Sequence, residues 1–111
     1  MNQKKPSLTK RLEDRLIAII KKAEDPQATE KEKEAAKKAW LKLSDWIQPI
    51  INRIAQQYAT SGHNIEKLLI VGNNGLMKAI HNYKPEKGYK FLTFSAWHIR
   101  SEITKYLSDH R

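Results

Sequence analysis

A chain of 111 residues with 40% hydrophobic content holds one modest core, which excludes a disordered chain and leaves room for a single domain. Its 21 Lys and Arg stand against 12 Asp and Glu, so the net charge is +9 at pH 7 and a polyanionic partner, nucleic acid or an anionic surface, is favoured over none. The absence of cysteine excludes disulfides, thiol chemistry and thiolate metal sites, and the longest apolar run, Leu68 to Val71, is too short to span a bilayer.

The first ten residues are basic and lead into an amphipathic segment, so no secretion signal is expected and the expected location is cytoplasmic. Leu8, Leu12, Leu16, Ile19, Ile20 and Ala23 recur at helical steps and predict a first helix, with Ser7 or Thr9 as its cap. Pro26 ends it, because the residue before proline avoids the helical region. Thr29 and Glu32 have capping-box spacing and start a second helix. Its opening stretch, "EKEKEAAKKAW", mixes both charge signs and reads as a solvated face. From Trp40 the stripe turns apolar through Leu43, Ile47, Ile50 or Ile51, Ile54 and Tyr58. Pro49 lies inside this stripe and is expected to kink the helix or split it.

Gly62 suits the end of that helix, and a third is predicted from about Asn64 to Asn82. Pro85 and Gly88 mark the next loop, and a last helix is predicted from about Thr93 onward. With no convincing strand, the expected fold is an all-α bundle of four to five helices forming one domain over residues 1–111.

The faces of the last two helices carry more information. Ala96, Ile99, Ile103, Tyr106 and Leu107 share one face and suffice to dock the last helix. The opposite face bears Phe94, Trp97, His98, Ser101, Thr104 and Lys105, with Arg100 at its edge. Two large rings there are either a satellite core under the preceding loop or a stacking platform for bases, flanked by cations that attract a phosphate backbone. In the third helix Ile65, Leu68, Leu69, Gly72, Leu76, Ala79, Ile80 and Tyr83 form a buried stripe, with Gly72 and Ala79 placed for close helix approach. The reverse face reads Lys67, Ile70, Val71, Asn74, Lys78 and His81. Ile70 and Val71 there mean either a helix buried on both sides or a partner-binding surface.

The string "GNNGLMKAIHNYKPEKGYKFLTFSAWHIRSEIT" resembles region 2 of bacterial sigma factors of the primary type, the subunits that direct RNA polymerase to promoters. The likeness covers about Gly62 to Asp109 and is densest from Gly72 to Thr104; residues 1–60 match mainly in helical pattern. It implies an all-helical domain that recognises the minus-ten promoter element as it melts and captures flipped bases of the non-template strand. Carried over by position, Tyr89, Phe91, Phe94 and Trp97 form the pocket and wedge, and Lys90, Arg100 and Lys105 hold phosphates. Thr93, His98, Ser101 and Thr104 complete the expected DNA-binding set. The expected partners are promoter DNA, as a single non-template strand, and the largest subunit of core polymerase or a substitute protein.

Several positions depart from the family pattern. His98 stands where a second Trp is usual, Ser101 where a Gln helps read the upstream edge, and Phe94 where a Tyr is usual. The third helix carries "KLLIVG" where the family presents an acidic, polar "DLIQEG" to a basic coiled coil of polymerase. The expected polymerase face, Lys67, Ile70, Val71, Asn74 and Lys78, therefore lacks its usual carboxylate. An alternative role follows: a sigma-like accessory or regulatory domain with an altered protein partner. The four histidines have no ligand-like spacing and no catalytic motif occurs, so neither enzyme activity nor a metal or cofactor is expected.

Overall fold

A computed structural model of the chain describes residues 9–59 and 62–110. Four α-helices follow one another: α1 (Lys10–Lys22), α2 (Glu30–Ala59), α3 (Ile65–Asn82) and α4 (Phe91–Asp109), with one 3₁₀ turn (Pro85–Lys87) between the last two. The all-α fold class read from the sequence is the one observed.

The local signals act where they were expected. Thr9 caps α1 by accepting the Leu12 amide at 3.1 Å; Ser7 and Leu8 lie outside the described residues. The capping box closes in both directions. The Glu32 amide reaches Thr29 Oγ1 at 3.1 Å, and the Thr29 amide reaches Glu32 Oε1 at 2.9 Å. Asn64, at the expected start of the third helix though not read as its cap, accepts the Glu66 amide at 2.8 Å.

Pro49 does not split α2, which continues through it to Ala59. Interior proline costs a helix about 3 kcal/mol. Here both halves are held: Leu43 and Ile47 precede it in the core, Ile51, Ile54 and Ala55 follow it, and Pro49 itself is exposed. Gln48, beside it, also donates to Asn73 Oδ1 of α3 at 2.9 Å.

The core gathers Leu16 and Ile17 of α1, the α2 residues just named, Leu68, Leu76 and Ile80 of α3, and Ile99 and Ile103 of α4. Gly75 sets the closest approach. A Cβ there would lie 2.8 Å from Ile99 Cα and 2.9 Å from the His98 carbonyl oxygen, so the two backbones of α3 and α4 are in contact. The sequence reading placed the close approach at Gly72 and Ala79. Gly72 does admit a neighbouring helix, since a Cβ there would lie 2.8 Å from the Ile51 side chain of α2; the approach at Gly75 was not read from the sequence.

Two further corrections concern α4 and α3. Helix α4 begins at Phe91, not Thr93, and Phe91 is fully buried; its ring is a core ring and has no surface left for a base. Val71 is half-buried against the core and does not stand outside the stripe, whereas Ile70 is 63% exposed.

Candidate nucleic-acid interface

The segment from Tyr83 to Phe94 is built around one buried ring. Tyr83 follows the last residue of α3 and is fully buried. Its ring packs edge-on against Tyr89 at 5.9 Å and Phe91 at 5.2 Å, and tilted against Phe94 at 5.6 Å. Gly88 ends the 3₁₀ turn in the left-handed region, φ +88°, and so lets the chain reverse towards α4 without side-chain strain.

From that anchor a ladder of rings rises to the surface. Tyr89 stacks on Phe94 at 5.2 Å with 26° between planes, and Phe94 meets the edge of His98 at 4.7 Å. Phe94 is half-buried within this ladder; Tyr89 stands 38% exposed. Trp97 is 75% exposed, one turn along α4 from Phe94 and Thr93. Lys90, Thr93, Arg100, Ser101, Thr104 and Lys105 are all exposed. The Arg100 guanidinium lies 3.4 Å from Gln57 Oε1 of α2, and the Thr104 hydroxyl faces the carbonyls of Arg100 and Ser101 at 2.9 and 3.1 Å.

Beside this face a groove of about 720 Å³ separates α2 from the start of α4, with Trp46, Pro49, Ile50 and Leu92 on its walls and Arg53 at its rim. A smaller groove continues it past Thr93, Ala96 and Arg100. Arg53 and Trp46 were not singled out from the sequence, because each reads there as an ordinary position on a long helix.

The groups that fix this face were not legible either. Glu13 of α1 is fully buried, and its two carboxylate oxygens accept the amides of Phe91 and Leu92 at 3.0 and 3.2 Å. Burial pushes the Glu13 carboxyl above its usual range, against the pull of those two amides and of the nearby Lys90 charge. The buried Trp46 indole N–H acts on the same carboxylate without reaching hydrogen-bond geometry. The Tyr83 hydroxyl lies 2.8 Å from Asp14 Oδ1 and 2.8 Å from the Tyr89 carbonyl. Burial first, and then Asp14, push this phenol well above the ordinary value of 10. The one sequence signal for Glu13 is its register, three and four residues before the buried Leu16 and Ile17.

The outer face of α3 presents a second surface. Lys67, Ile70, Asn74 and Lys78 are exposed, and Lys78 pairs with Glu102 of α4 at 3.0 Å. Met77, 51% exposed, lies two turns from Ile70 on the same side and was missed. Among the described residues no cluster of acids or histidines could hold a metal ion, and no helix is long and apolar enough to cross a membrane.

The Sigma-70 region 2 family matches residues 47–111, more than half of the chain. The chain belongs to this family. Among its similar proteins, the RNA polymerase sigma factor RpoH of Caulobacter vibrioides is 31% identical over 105 residues, which is 95% of this chain and 32% of that protein. The chloroplastic RNA polymerase sigma factor sigF of Arabidopsis thaliana is 41% identical over 56 residues, 50% of this chain and 10% of that protein. The chain thus spans a third or less of the length of these relatives. The region 2 match takes in the second half of α2, all of α3 and the ring ladder of α4, whereas α1 lies outside it.

Proposed function

We propose that this region 2 domain is a transcription-initiation module that binds the melted minus-ten element as a single non-template strand and docks on core RNA polymerase. The observation that carries the reading is Trp97, a large ring three-quarters exposed on a helix whose core face is already satisfied, set beside the Tyr89–Phe94 stack among exposed Lys and Arg. Unstacking a base costs a few kcal/mol, and capture on rings offsets that cost. Binding the separated strand draws the duplex open by population shift and requires no nucleotide hydrolysis. Phosphates would run along Lys90, Arg100 and Lys105, and Thr93, Ser101 and Thr104 are placed to meet base edges or the backbone.

An anisotropy titration of a dye-labelled, A/T-rich single strand tests this. Stacking worth roughly 1–3 kcal/mol per base predicts that Trp97→Ala weakens binding about 5- to 150-fold, with Phe94→Ala comparable. Affinity should fall with salt at a log–log slope near −0.7 per phosphate neutralised. Wild-type binding no tighter than that of either variant rejects the reading.

For the protein partner, the exposed face of α3 is the proposed surface. Lys67 there opposes a basic partner, and Ile70 and Met77 offer apolar area in place of charge. Replacing Lys67 by Asp and Ile70 by Gln should strengthen capture of purified core polymerase by about tenfold, since like-charge juxtaposition across an interface is costly. Val71 is unsuited to this test because it is half-buried. Unchanged capture would favour the second reading, an accessory domain whose α3 face meets a different protein.

A further inference from the structure

Helix α1 lies outside the region 2 match, yet one stripe of it grips the segment that carries the rings. Lys10, Glu13, Asp14 and Lys21 recur at helical spacing on a single side of α1. Lys10 donates to the Pro85 carbonyl at 3.0 Å, and Lys21 to the Tyr83 carbonyl at 2.9 Å. Asp14 accepts the Tyr83 hydroxyl and is itself paired with Lys10 at 2.7 Å. Glu13 accepts the first two amides of α4.

The need for that last contact is written in α4 itself. The opening amides of any helix lack partners within it, and a side-chain oxygen at the N-cap usually supplies one. Here the N-cap is Lys90, whose side chain makes no capping bond. A carboxylate from 78 residues upstream does the capping, in a buried setting where a charged acceptor is strongest and matches the helix dipole. Helix α4 therefore starts two residues earlier than its own sequence indicates, and Phe91 is turned into the core beneath Phe94.

We infer that Glu13 and Asp14 together are the positioning device of the ring ladder: Glu13 fixes the start of α4 and Asp14, through Tyr83, the place of Tyr89, so that the rings are set before any strand arrives. The chain of contacts is continuous, from Asp14 to the Tyr83 hydroxyl, from that hydroxyl to the Tyr89 carbonyl, and from Tyr89 to Phe94 by stacking. Rings held in place beforehand spare the binding step the entropy of ordering them. This inference rests on the proposed function for what the ladder binds, but its geometric half stands apart from it.

The test uses the 111-residue chain with Glu13→Gln, which keeps the shape and one acceptor, alone and combined with Phe94→Ala. Amide hydrogen exchange by NMR reads the segment, and anisotropy of the A/T-rich strand reads binding. In Glu13→Gln, exchange at Phe91 and Leu92 should quicken at least tenfold while Ile51 and Leu76 keep their protection. Strand binding should weaken at least fivefold, and in the Phe94→Ala background the same change should cost less than twofold, because the ladder it serves is already broken. Unchanged exchange at Phe91 and Leu92 overturns the inference. So does wild-type binding by Glu13→Gln, or a loss of equal size in the Phe94→Ala background. Should Glu13→Gln lose protection everywhere, Tyr83→Phe decides by strand binding, since it cuts the link from Asp14 to the Tyr89 carbonyl and leaves the Glu13 cap in place; a loss under twofold overturns the inference. A wild-type chain that ignores the strand fails the proposed function, and exchange at Phe91 and Leu92 then decides the geometric half by itself; a strand bound equally by wild type and Glu13→Gln fails this inference alone.

Discussion

Gly75→Ala should destabilise the domain by about 3 kcal/mol, although alanine is the better helix former by roughly 1 kcal/mol. The added Cβ would sit 2.8 Å from Ile99 Cα, 2.9 Å from the His98 carbonyl oxygen and 3.1 Å from the Ile99 amide nitrogen. All three are backbone atoms of one α4 turn, so no rotamer change relieves the clash and the two helices must separate. Separation opens gaps around Leu76, Ile99 and Ile103, which are fully buried, and lost packing adds to the strain. Gly72→Ala makes the contrast. Its Cβ would lie equally close, 2.8 Å, but to the Cγ2 methyl of the buried Ile51, a side-chain atom that gives way only by a small shift of a stiff β-branched residue. That variant should lose about 1 kcal/mol, the propensity gain offsetting part of the crowding. Urea unfolding of the two variants gives the ordering, and a Gly75→Ala chain as stable as Gly72→Ala contradicts the backbone contact.

Tyr83→Ala should lose about 3–5 kcal/mol, the range for emptying a fully buried aromatic site. It removes the ring on which Tyr89, Phe91 and Phe94 all rest. Tyr83→Phe keeps the ring and loses only the hydroxyl, leaving Asp14 and the Tyr89 carbonyl without that donor; about 1–2 kcal/mol is expected. The two variants also differ from wild type in alkaline solution. The folded state holds the phenol proton more tightly than the unfolded chain, whose value is the ordinary 10. The phenol's contribution is therefore complete below that value and is lost as pH rises through the folded one. Above pH 10 wild type should lose stability faster than Tyr83→Phe, which has no phenol at that site to titrate. Parallel losses in both chains would mean the hydroxyl is not held as described. Glu13 has the same sign at lower pH. Its raised carboxyl contributes fully below the unfolded value of 4.5 and progressively less as pH climbs through its folded value.

The elements were legible because their signals are local. Thr9, the Thr29–Glu32 box and Asn64 each bond within four residues of themselves, so the short stretch that contains the cap also shows what it caps. The apolar stripes of α2 and α3 announced their buried faces for the same reason: a helix turns by a constant angle, and burial follows that angle. Trp97 was legible by subtraction, as a ring left over once Ile99 and Ile103 had been assigned to the core.

The misreadings lie where distant segments meet. Phe91 shares its type and spacing with the other rings, yet it is buried edge-on against Tyr83 with its amide on Glu13 of α1, a contact 78 residues away. Val71 is drawn towards the core while its neighbour Ile70 is left out, a difference of one helical step that the facing helices decide. Of the kink or split expected at Pro49, the split does not occur, because core residues hold α2 on both sides of the ring.

By itself the amino-acid order determined the all-α class, the buried stripes of the long helices, the basic character of the whole, and the family-like run from Gly72 to Thr104. The tertiary structure alone decided that Phe91 is a core ring, which glycine admits a neighbouring backbone, and that an acid in the first helix caps the last. The division follows from range: hydrogen bonds and side-chain periodicity within a helix act over a few residues and leave their mark in sequence, whereas contacts across some 70 to 80 residues depend on how completed helices stack.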